Sequence, residues 1–376
     1  MKFVEIKELD LKNKKALNDF VDLPWKIYKG HKYWVAPLKM AIKETLNPKH
    51  PFYETADVKM FLAYKDNEAV GRIMAINNKS YNKHCKTNIG HFGFFDVIDD
   101  VEVSKKLIEA ATNYLASQGL TSIEGPMNPG TNYECGLLVK GHDDYPQIMM
   151  TYTPQYYLTH LESLGFDKSM DLLAYHYHTP DRFPEIILNI ANRIEQKSNI
   201  SYRRLNIKNW DKELDIIFDI YNSAWEENWG FVPMTRKEFE HSAKDLKMVL
   251  NPDFVHYVLV DGVEAGFILA LPDFNQIFKT IPKGTLSPSA LFKLLTPKKR
   301  ISRLRVIMMG VKKQYRKMGI ETLLYRNLQT EVLAKNARIS DVEFSWILET
   351  NTEMNKPLIR LSGEAYKRYR LVKKAI

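Results

Sequence analysis

The sequence predicts an α+β protein in which one kind of domain, built around a mixed sheet, occurs twice along the chain. The first observation is length, because 376 residues exceed what one ordinary hydrophobic core accommodates. The second is a pair of similar strand hairpins, one in each half of the chain. The third is that strands and helices alternate after each hairpin, as they do in α+β domains. The hydrophobic share of 45% and the charged share of 26% are those of a globular protein.

The two hairpins form the clearest internal repeat. Residues 58–76 and 255–271 are apolar runs rich in strand-forming residues, and each is interrupted by a short turn. The turns are Asp66-Asn67 and Asp261-Gly262, whose residues tolerate the positive φ of a tight hairpin. A glycine follows each aspartate at the same spacing. The hairpins are therefore predicted to be the same piece of structure used twice.

The elements after each hairpin are also predicted in parallel. In the first half they are strands at 90–98, 122–124 and 172–177 and helices at 103–117 and 156–164. In the second half they are strands at 304–311, 342–348 and 366–372 and helices at 320–334 and 355–361. We expect one domain at 1–180, a linker helix within 181–200, and a second domain at 201–376 with an insertion at about 273–302.

Composition excludes several classes of protein. No stretch reaches the roughly 18 apolar residues of a membrane span, and the start has no apolar signal-peptide region. Cys85 and Cys135 are the two cysteines, which indicates a reducing compartment and predicts a cytoplasmic protein. The net charge is +9, without the aromatic-interleaved basic motifs of nucleic-acid binding, so nucleic acid is not a predicted partner. His176 and His178 have no ligating residue nearby in sequence, and no metal is predicted.

The segment from Gly310 to Ile320 joins a predicted strand to a predicted helix and is the segment best suited to bind an anion. Backbone N–H groups at a helix N-terminus point outward without intrahelical partners. Gly319 allows close approach of phosphate oxygens, and Arg316 and Lys317 add charge-assisted hydrogen bonds. A pyrophosphate is therefore expected at 311–319. The alternative is an ordinary turn glycine among surface charges.

This loop resembles the pyrophosphate-binding loop of the GNAT acyltransferase superfamily, whose core is Arg or Gln, two residues, Gly, one residue, then Gly or Ala. The likeness extends through residues 22–25, 34–38, 91–95, 125–129, 228–233 and 304–306. Together they resemble a group of bacterial tandem-GNAT proteins that includes proteins similar to bacterial ceramide synthases. The resemblance implies two GNAT-like acyltransferase domains. The first carries the acidic turn 96–102 in place of the loop, so only the second is expected to bind CoA.

The resemblance implies acyl transfer from acyl-CoA, acetyl-CoA or an acyl carrier protein to a primary amine, with a long-chain lipid amine such as a sphingoid base as one acceptor. A small-molecule or peptidyl N-acetyltransferase, an aminoacyl transferase using charged tRNA, and a non-catalytic CoA- or lipid-binding protein remain alternatives. Two departures from the family's sequence pattern favour keeping the non-catalytic alternative. Glu321 stands where the family has Gly or Ala, and Ile359 stands where it has the Tyr that protonates the departing thiolate.

The expected site residues fall into three groups. The CoA group is Met309, Val311, Gln314, Arg316, Lys317, Met318, Gly319, Ile320 and Asn351. The acceptor group is Trp225, Asn228, Trp229, Asn128 and Asn132. The candidate bases are Glu226 and Glu349, with Glu227 as a further one, since a carboxylate can take the proton of an amine. A solvated helix end is the alternative for Glu226 and Glu227.

The insertion contains apolar residues within 286–295, followed by Lys298, Lys299 and Arg300. Apolar residues beside a basic run are typical of segments that lie on anionic lipid, which predicts peripheral contact with the inner membrane. The alternative is a lid packed on its own domain.

Overall fold

The computed structural model describes residues 3–179, 183–197, 199–297 and 300–376. These residues form two compact units. The N-terminal unit consists of residues 1–172, 275–296 and 367–376, and the C-terminal unit of residues 173–274 and 297–366.

The helices and strands alternate along the chain much as expected. The strands are β1 (Glu5–Glu8), β2 (Ala56–Lys65), β3 (Glu68–Asn78), β4 (Ile89–Val97), β5 (Ser122–Gly125), β6 (Met127–Asn128), β7 (Glu134–Cys135), β8 (Leu137–Lys140), β9 (Asp167–His178), β10 (Ile200–Arg204), β11 (Val255–Val260), β12 (Val263–Pro272), β13 (Arg303–Val311), β14 (Asp341–Leu348) and β15 (Lys367–Ala375). The helices are α1 (Lys14–Ile27), α2 (Lys39–Thr45), α3 (Lys79–Cys85), α4 (Val101–Ser117), α5 (Tyr156–Ser163), α6 (Glu185–Lys197), α7 (Trp210–Trp225), α8 (Arg236–Val249), α9 (Asn275–Phe278), α10 (Pro288–Leu295), α11 (Ile320–Asn327) and α12 (Thr352–Ser362). A π-helical turn, Leu328–Leu333, extends α11.

Each unit has a mixed sheet with a parallel strand pair at its centre. In the N-terminal unit the strand order is β1-β2-β3-β4-β5-β15, and β4 runs parallel to β5. In the C-terminal unit the order is β9-β14-β13-β12-β11-β10, and β13 runs parallel to β14. The predicted α+β class with a mixed sheet is confirmed.

The two hairpins are the same structure, as the repeat predicts. Asp66-Asn67 and Asp261-Gly262 all have positive φ at the turns between β2 and β3 and between β11 and β12. Each hairpin has a bulge at the same place, where Gly71 pairs with Ala63 and Gly266 pairs with Val258.

The glycines make room for the helix that follows the parallel strand. A Cβ on Gly71 would lie 2.7 Å from the Cδ1 of Leu107 in α4, and one on Gly266 would lie 3.2 Å from the Cγ2 of Ile320 in α11. Leu107 and Ile320 are fully buried in the cores of their respective units. Helices α4 and α11 are therefore equivalent elements of the repeat.

The two units are not contiguous in sequence, which differs from the predicted division at 181–200. The last strand, β15, pairs antiparallel with β5 and β8 and so belongs to the N-terminal unit. Within the predicted insertion, residues 275–296 also belong to that unit. The indole N–H of Trp25 donates to the carbonyl of Pro282 over 2.7 Å, and the Asn275 amide donates to the carbonyl of Pro146 over 2.8 Å. These hydrogen bonds attach the insertion to the N-terminal unit, whereas the sequence predicted it as part of the second domain, 201–376.

Candidate functional site

The central strands of the C-terminal unit separate partway along their length. β13 and β14 are paired from Arg303 and Asp341 to Val306 and Phe344, and their pairing ends there. β13 nevertheless continues to Val311 and stays paired with β12 from Leu304 to Val311, apart from a bulge at Ile307. Within the residues that the structure describes, no strand pairs with the β14-facing side of β13 from residue 307 onward. We call the space between the two strands beyond this point the cleft.

Burial along the strands marks this cleft. Ile307, Met308 and Met309 on β13 and Trp346 on β14 are only half-buried, although they lie in the middle of a sheet. By contrast, all nine residues of the equivalent strand β4 are buried. The free edge of a strand, next to half-buried apolar residues, suits an extended, partly apolar ligand.

The loop after β13 brings a helix N-terminus to the end of the cleft. Gly319 is the N-cap of α11 with a φ of +75°, and Lys317 has a φ of +69°. The first N–H groups of α11 lack intrahelical acceptors, as in every helix, and therefore form an anion site. The side chains of Gln314 and Lys317 are exposed beside it. This geometry fits a pyrophosphate.

The same loop is tied to the C-terminal end of α7. The Arg316 guanidinium donates to the carbonyl of Ala224 over 2.9 Å and to Glu227 over 3.2 Å. The Lys313 ammonium lies 2.9 Å from Glu227. Hydrogen bonds from Lys313, and then from Arg316, lower the pKa of the Glu227 carboxyl. Glu227 is therefore an ion-pair partner and a weak candidate for a base. Arg316 donates to the carbonyl end of α7, where a cation is favoured by the helix dipole.

The predicted acceptor residues of the C-terminal unit lie at this same helix end. Trp225 is the last residue of α7, and its ring lies so close to β13 that a Cβ on Gly310 would be 2.6 Å from the ring. Asn228 and Trp229 are half-buried in the turn that follows. Glu226 is exposed, and its carboxylate lies 4.0 Å from the Lys313 ammonium.

The end of β14 and the start of α12 are fixed by amide hydrogen bonds. The Asn351 side chain caps α12 by accepting from the N–H of Met354 over 3.2 Å. The Asn355 amide donates to the carbonyls of Leu348 and Glu349 over 2.9 and 3.2 Å. Glu349 is thereby held, half-buried, directly after the strand that borders the cleft. Asn351 therefore caps a helix, and this structural role does not require a bound ligand.

A buried charged cluster below the cleft was not predicted. Arg305 and Glu343 face each other one residue before the last paired position of β13 and β14. Arg305 donates to the Ser345 hydroxyl over 2.8 Å, Ser345 donates to Glu343 over 2.5 Å, and the Tyr366 hydroxyl also donates to Glu343. Glu343 is fully buried. The sequence signal was a glutamate inside an otherwise apolar strand, which requires a partner when buried.

The N-terminal unit has a histidine–glutamate pair at the same register. His91 on β4 is paired with Glu124 on β5, and the His91 Nε2 lies 3.9 Å from a Glu124 carboxylate oxygen. Burial lowers the pKa of His91 to about 3 and raises the pKa of Glu124, because burial disfavours the charged form of each group. The repeat thus places a basic residue opposite a glutamate in both units.

In the N-terminal unit the position of the cleft is filled by the chain itself. Beyond the paired residues, the N–H of Phe94 on β4 donates to the side-chain oxygen of Asn128 over 2.7 Å. Gly93 lies against the carbonyl of Met127, and a Cβ there would come within 1.7 Å of that oxygen. Asn128, a predicted acceptor residue, is therefore engaged by β4. Asn132 lies half-buried in the same loop.

The turn before α4 is also unsuited to an anion. Asp100 caps α4 by accepting from the N–H of Glu102 over 3.0 Å, and it pairs with Lys65. Asp99 lies 3.1 Å from His160. A carboxylate thus occupies the helix N-terminus at which a phosphate would have to bind.

Gly93→Ala should destabilise the protein by about 3 kcal/mol, because the added methyl group collides with a backbone carbonyl that cannot move without breaking the Phe94–Asn128 hydrogen bond. Urea unfolding measures the loss. The matched control is Gly130→Ala, in the loop that follows Asn128. Its Cβ would lie 3.5 Å from the nearest atom, on Phe52, and its cost should stay within about 0.5 kcal/mol. Equal stability of the two variants would contradict the close packing of Met127 and Asn128 against β4.

Two observations concern groups that could bind metal, and one concerns membrane spans. Among the residues that the structure describes, no group of three or more His, Cys, Asp or Glu side chains could hold a metal ion. His176 and His178 both contact the Asp341 carboxylate, over 2.8 and 3.2 Å. Asp341 is distant from both histidines in sequence, and this contact was not predicted.

Within the part of the chain that the structure describes, no helix combines the length and the apolar character that a membrane span requires.

Comparison with known proteins gives full-length relatives. No protein-family model matches the chain. Protein YghO of Escherichia coli (strain K12) is 35% identical over 371 residues, which cover 97% of this chain and 94% of that protein. The bacterial ceramide synthase of Caulobacter vibrioides (strain NA1000 / CB15N) is 32% identical over 378 residues, which cover 99% of this chain and 98% of that protein.

Solved structures with low sequence identity share the fold. A tandem GNAT protein from the clavulanic acid biosynthesis pathway matches with a TM-score of 0.56 and 11% identity over 99% of this chain and 98% of its own. The GCN5-related N-acetyltransferase from Sphaerobacter thermophilus matches with a TM-score of 0.53 and 11% identity over 99% of this chain and 95% of its own. The repeat, the split parallel strands and the solved structures agree on a tandem-GNAT fold. The two relatives match almost the whole chain at more than 30% identity, and the chain therefore belongs to one family with protein YghO and the bacterial ceramide synthase.

Proposed function

We propose that the C-terminal unit transfers an acyl group from a thioester, carried by CoA or an acyl carrier protein, to the primary amine of a long-chain lipid such as a sphingoid base. The observation that carries the proposal is the cleft between β13 and β14, which leads to the helix N-terminus at Gly319. The equivalent space in the other unit is filled by Asn128 and Met127.

The donor fits the free edge of β13 and the loop after it. The N–H groups of Lys317, Gly319 and Ile320, together with the Lys317 ammonium, would hold the pyrophosphate. Backbone groups of Met309 and Val311 would pair with the amides of the pantetheine arm, as an added strand would. Met318 and Ile320 anchor the loop, since Ile320 is fully buried and Met318 packs on the same core. Gln314 is exposed at the outer side of the loop.

The reaction requires an uncharged amine next to the thioester carbonyl. The amine nitrogen attacks the carbonyl carbon, the C–N bond forms, the C–S bond breaks, and the thiolate leaves. A carboxylate takes the proton of the incoming ammonium, and we assign this step to Glu349 or Glu226. A backbone N–H in the range 309–311 would stabilise the negative oxygen. After the attack the nitrogen still carries a second proton that the amide must lose. Ile359 is exposed on α12 where the family has a Tyr, so water would carry this second proton from the nitrogen to the departing thiolate.

Three features support a long-chain lipid. Ile307, Met308, Met309 and Trp346, beside the point where the pairing of β13 and β14 ends, are apolar residues that are only half-buried. Methionine side chains are flexible and adapt to chains of different shape. One full-length relative carries the name bacterial ceramide synthase. Trp225, Asn228 and Trp229, at the end of α7, would contact the acceptor.

The expected result of a transfer assay is amide formation from a long-chain acyl-CoA or acyl carrier protein and a sphingoid base, at least about tenfold faster than with acetyl-CoA or with small amines. Mass spectrometry of the extracted amide measures it. Turnover restricted to acetyl-CoA and small amines would instead make the protein a small-molecule acetyltransferase. Absence of turnover while CoA binds would contradict catalysis altogether.

A further inference from the structure

An exposed apolar surface lies on α10 and on Leu286, two residues before the helix begins. Leu286, Leu291, Phe292 and Leu295 are 45%, 49%, 61% and 73% exposed, within ten residues of chain. The last three lie on the outer side of the helix, while Ala290 on the inner side is 3% exposed. We call Leu286, Leu291, Phe292 and Leu295 the α10 apolar surface. Single exposed apolar residues are ordinary, but four within ten residues mark a contact site.

The helix that carries this surface is preformed and firmly attached. Ser287 caps it by accepting from the N–H of Ala290 over 3.2 Å, and Pro288 occupies its first turn. The segment before it is fastened at three points within the N-terminal unit, through Trp25, Asn275 and the N–H of Lys39, which donates to Gly284 over 2.9 Å. The apolar residues are therefore held outward by a structured segment.

Charge identifies the partner. Residues 274–300 contain six lysines and arginines and no aspartate or glutamate. Lys283 is exposed between the attachment points and the helix, and Met40, next to Lys39 on α2, is a further apolar residue, 62% exposed. A second copy of this segment would bring cations against cations, whereas an anionic surface complements it.

We propose that the α10 apolar surface docks on an anionic lipid bilayer, with the apolar side chains entering the headgroup region and the surrounding lysines facing lipid phosphates. Short amphipathic helices with basic flanks bind in this way. Binding of this surface to a membrane does not depend on the reaction that the C-terminal unit performs.

Flotation of the full-length protein with phosphatidylcholine vesicles, with and without phosphatidylglycerol, tests the proposal. Binding should require phosphatidylglycerol, and the double variant F292S/L295S should bind at least about tenfold more weakly. Lys283→Glu should also weaken binding, and added salt should weaken it further. All three altered positions are exposed, so thermal unfolding should be unchanged in both variants.

The matched control is M248S/V263S, which removes two apolar side chains that are 78% and 46% exposed on the C-terminal unit. It should bind vesicles like the unaltered protein. Equal flotation of F292S/L295S and the unaltered protein would overturn the proposal. A change in oligomeric mass caused by F292S/L295S without vesicles would also overturn it, because the surface would then be an interface between copies of the chain.

Discussion

Replacing Gly319 with glutamate should abolish binding of acyl-CoA, with affinity reduced by at least about a hundredfold. The φ of +75° at Gly319 favours glycine, and the residue is the N-cap of α11, where a phosphate would accept from backbone N–H groups. A carboxylate there repels the pyrophosphate and competes for the same N–H groups. Isothermal titration calorimetry with CoA measures the loss.

Steric effects must be separated from charge effects, because a Cβ on Gly319 would lie 2.5 Å from the Cδ1 of Ile194 in α6. Gly319→Ala introduces that contact without charge and should retain part of the affinity. Gly119→Glu places the same acid at a glycine of φ +78° with open space around it in the N-terminal unit and should bind CoA normally. Loss of binding in Gly119→Glu or Asp99→Asn equal to that in Gly319→Glu would refute a CoA site confined to the C-terminal unit.

Local patterns in the sequence were enough to predict the repeat. The two hairpins depend on turn residues that tolerate positive φ and on glycines that make room for α4 and α11. In each half of the chain these residues lie within about fifteen residues of one another, so the pattern is visible in the sequence. The helix at 320–334 and the strand at 342–348 follow from apolar periodicity. The observed elements α11, its π-helical extension and β14 confirm them.

Associations between distant segments could not be predicted in this way. β15 and the segment 275–296 belong to the N-terminal unit because of hydrogen bonds to β5, Trp25 and Pro146, far away in the chain. Nothing in the local composition of these segments identifies those partners. The contiguous division was therefore the simplest expectation.

The candidate site shows the same limit. The anion loop was predicted because a strand, a glycine and a helix follow one another in sequence. The roles of side chains that act at a distance were missed. Asn128 bonds the N–H of Phe94, Arg316 bonds the carbonyl end of α7, and Glu343 forms a buried cluster with Arg305 and Tyr366. Each of these pairs joins elements that only the folded chain brings together.

Replacing Glu349 with glutamine should lower kcat for amide formation by about a hundredfold, which is the usual contribution of a single proton-transfer group, and should leave CoA affinity unchanged. Glu349 is half-buried directly after the strand that borders the cleft. Glu226, by contrast, is exposed and lies 4.0 Å from the Lys313 ammonium, so Glu226→Gln should lower kcat less. The larger loss on Glu226→Gln would reassign the proton transfer to that residue.

The pH dependence of the same variants separates proton transfer from structural damage. An amine loses its own proton as the pH approaches its pKa of about 10, so the deficit of Glu349→Gln should shrink at high pH. Glu343→Gln is the comparison: Glu343 is fully buried and accepts from Ser345 and Tyr366, so the variant should unfold at lower urea while any loss of kcat stays constant with pH. A deficit that shrinks with pH for Glu343→Gln but stays constant for Glu349→Gln would transfer the proton-accepting role to the buried cluster. A constant deficit for both would mean that neither carboxylate takes the proton of the amine.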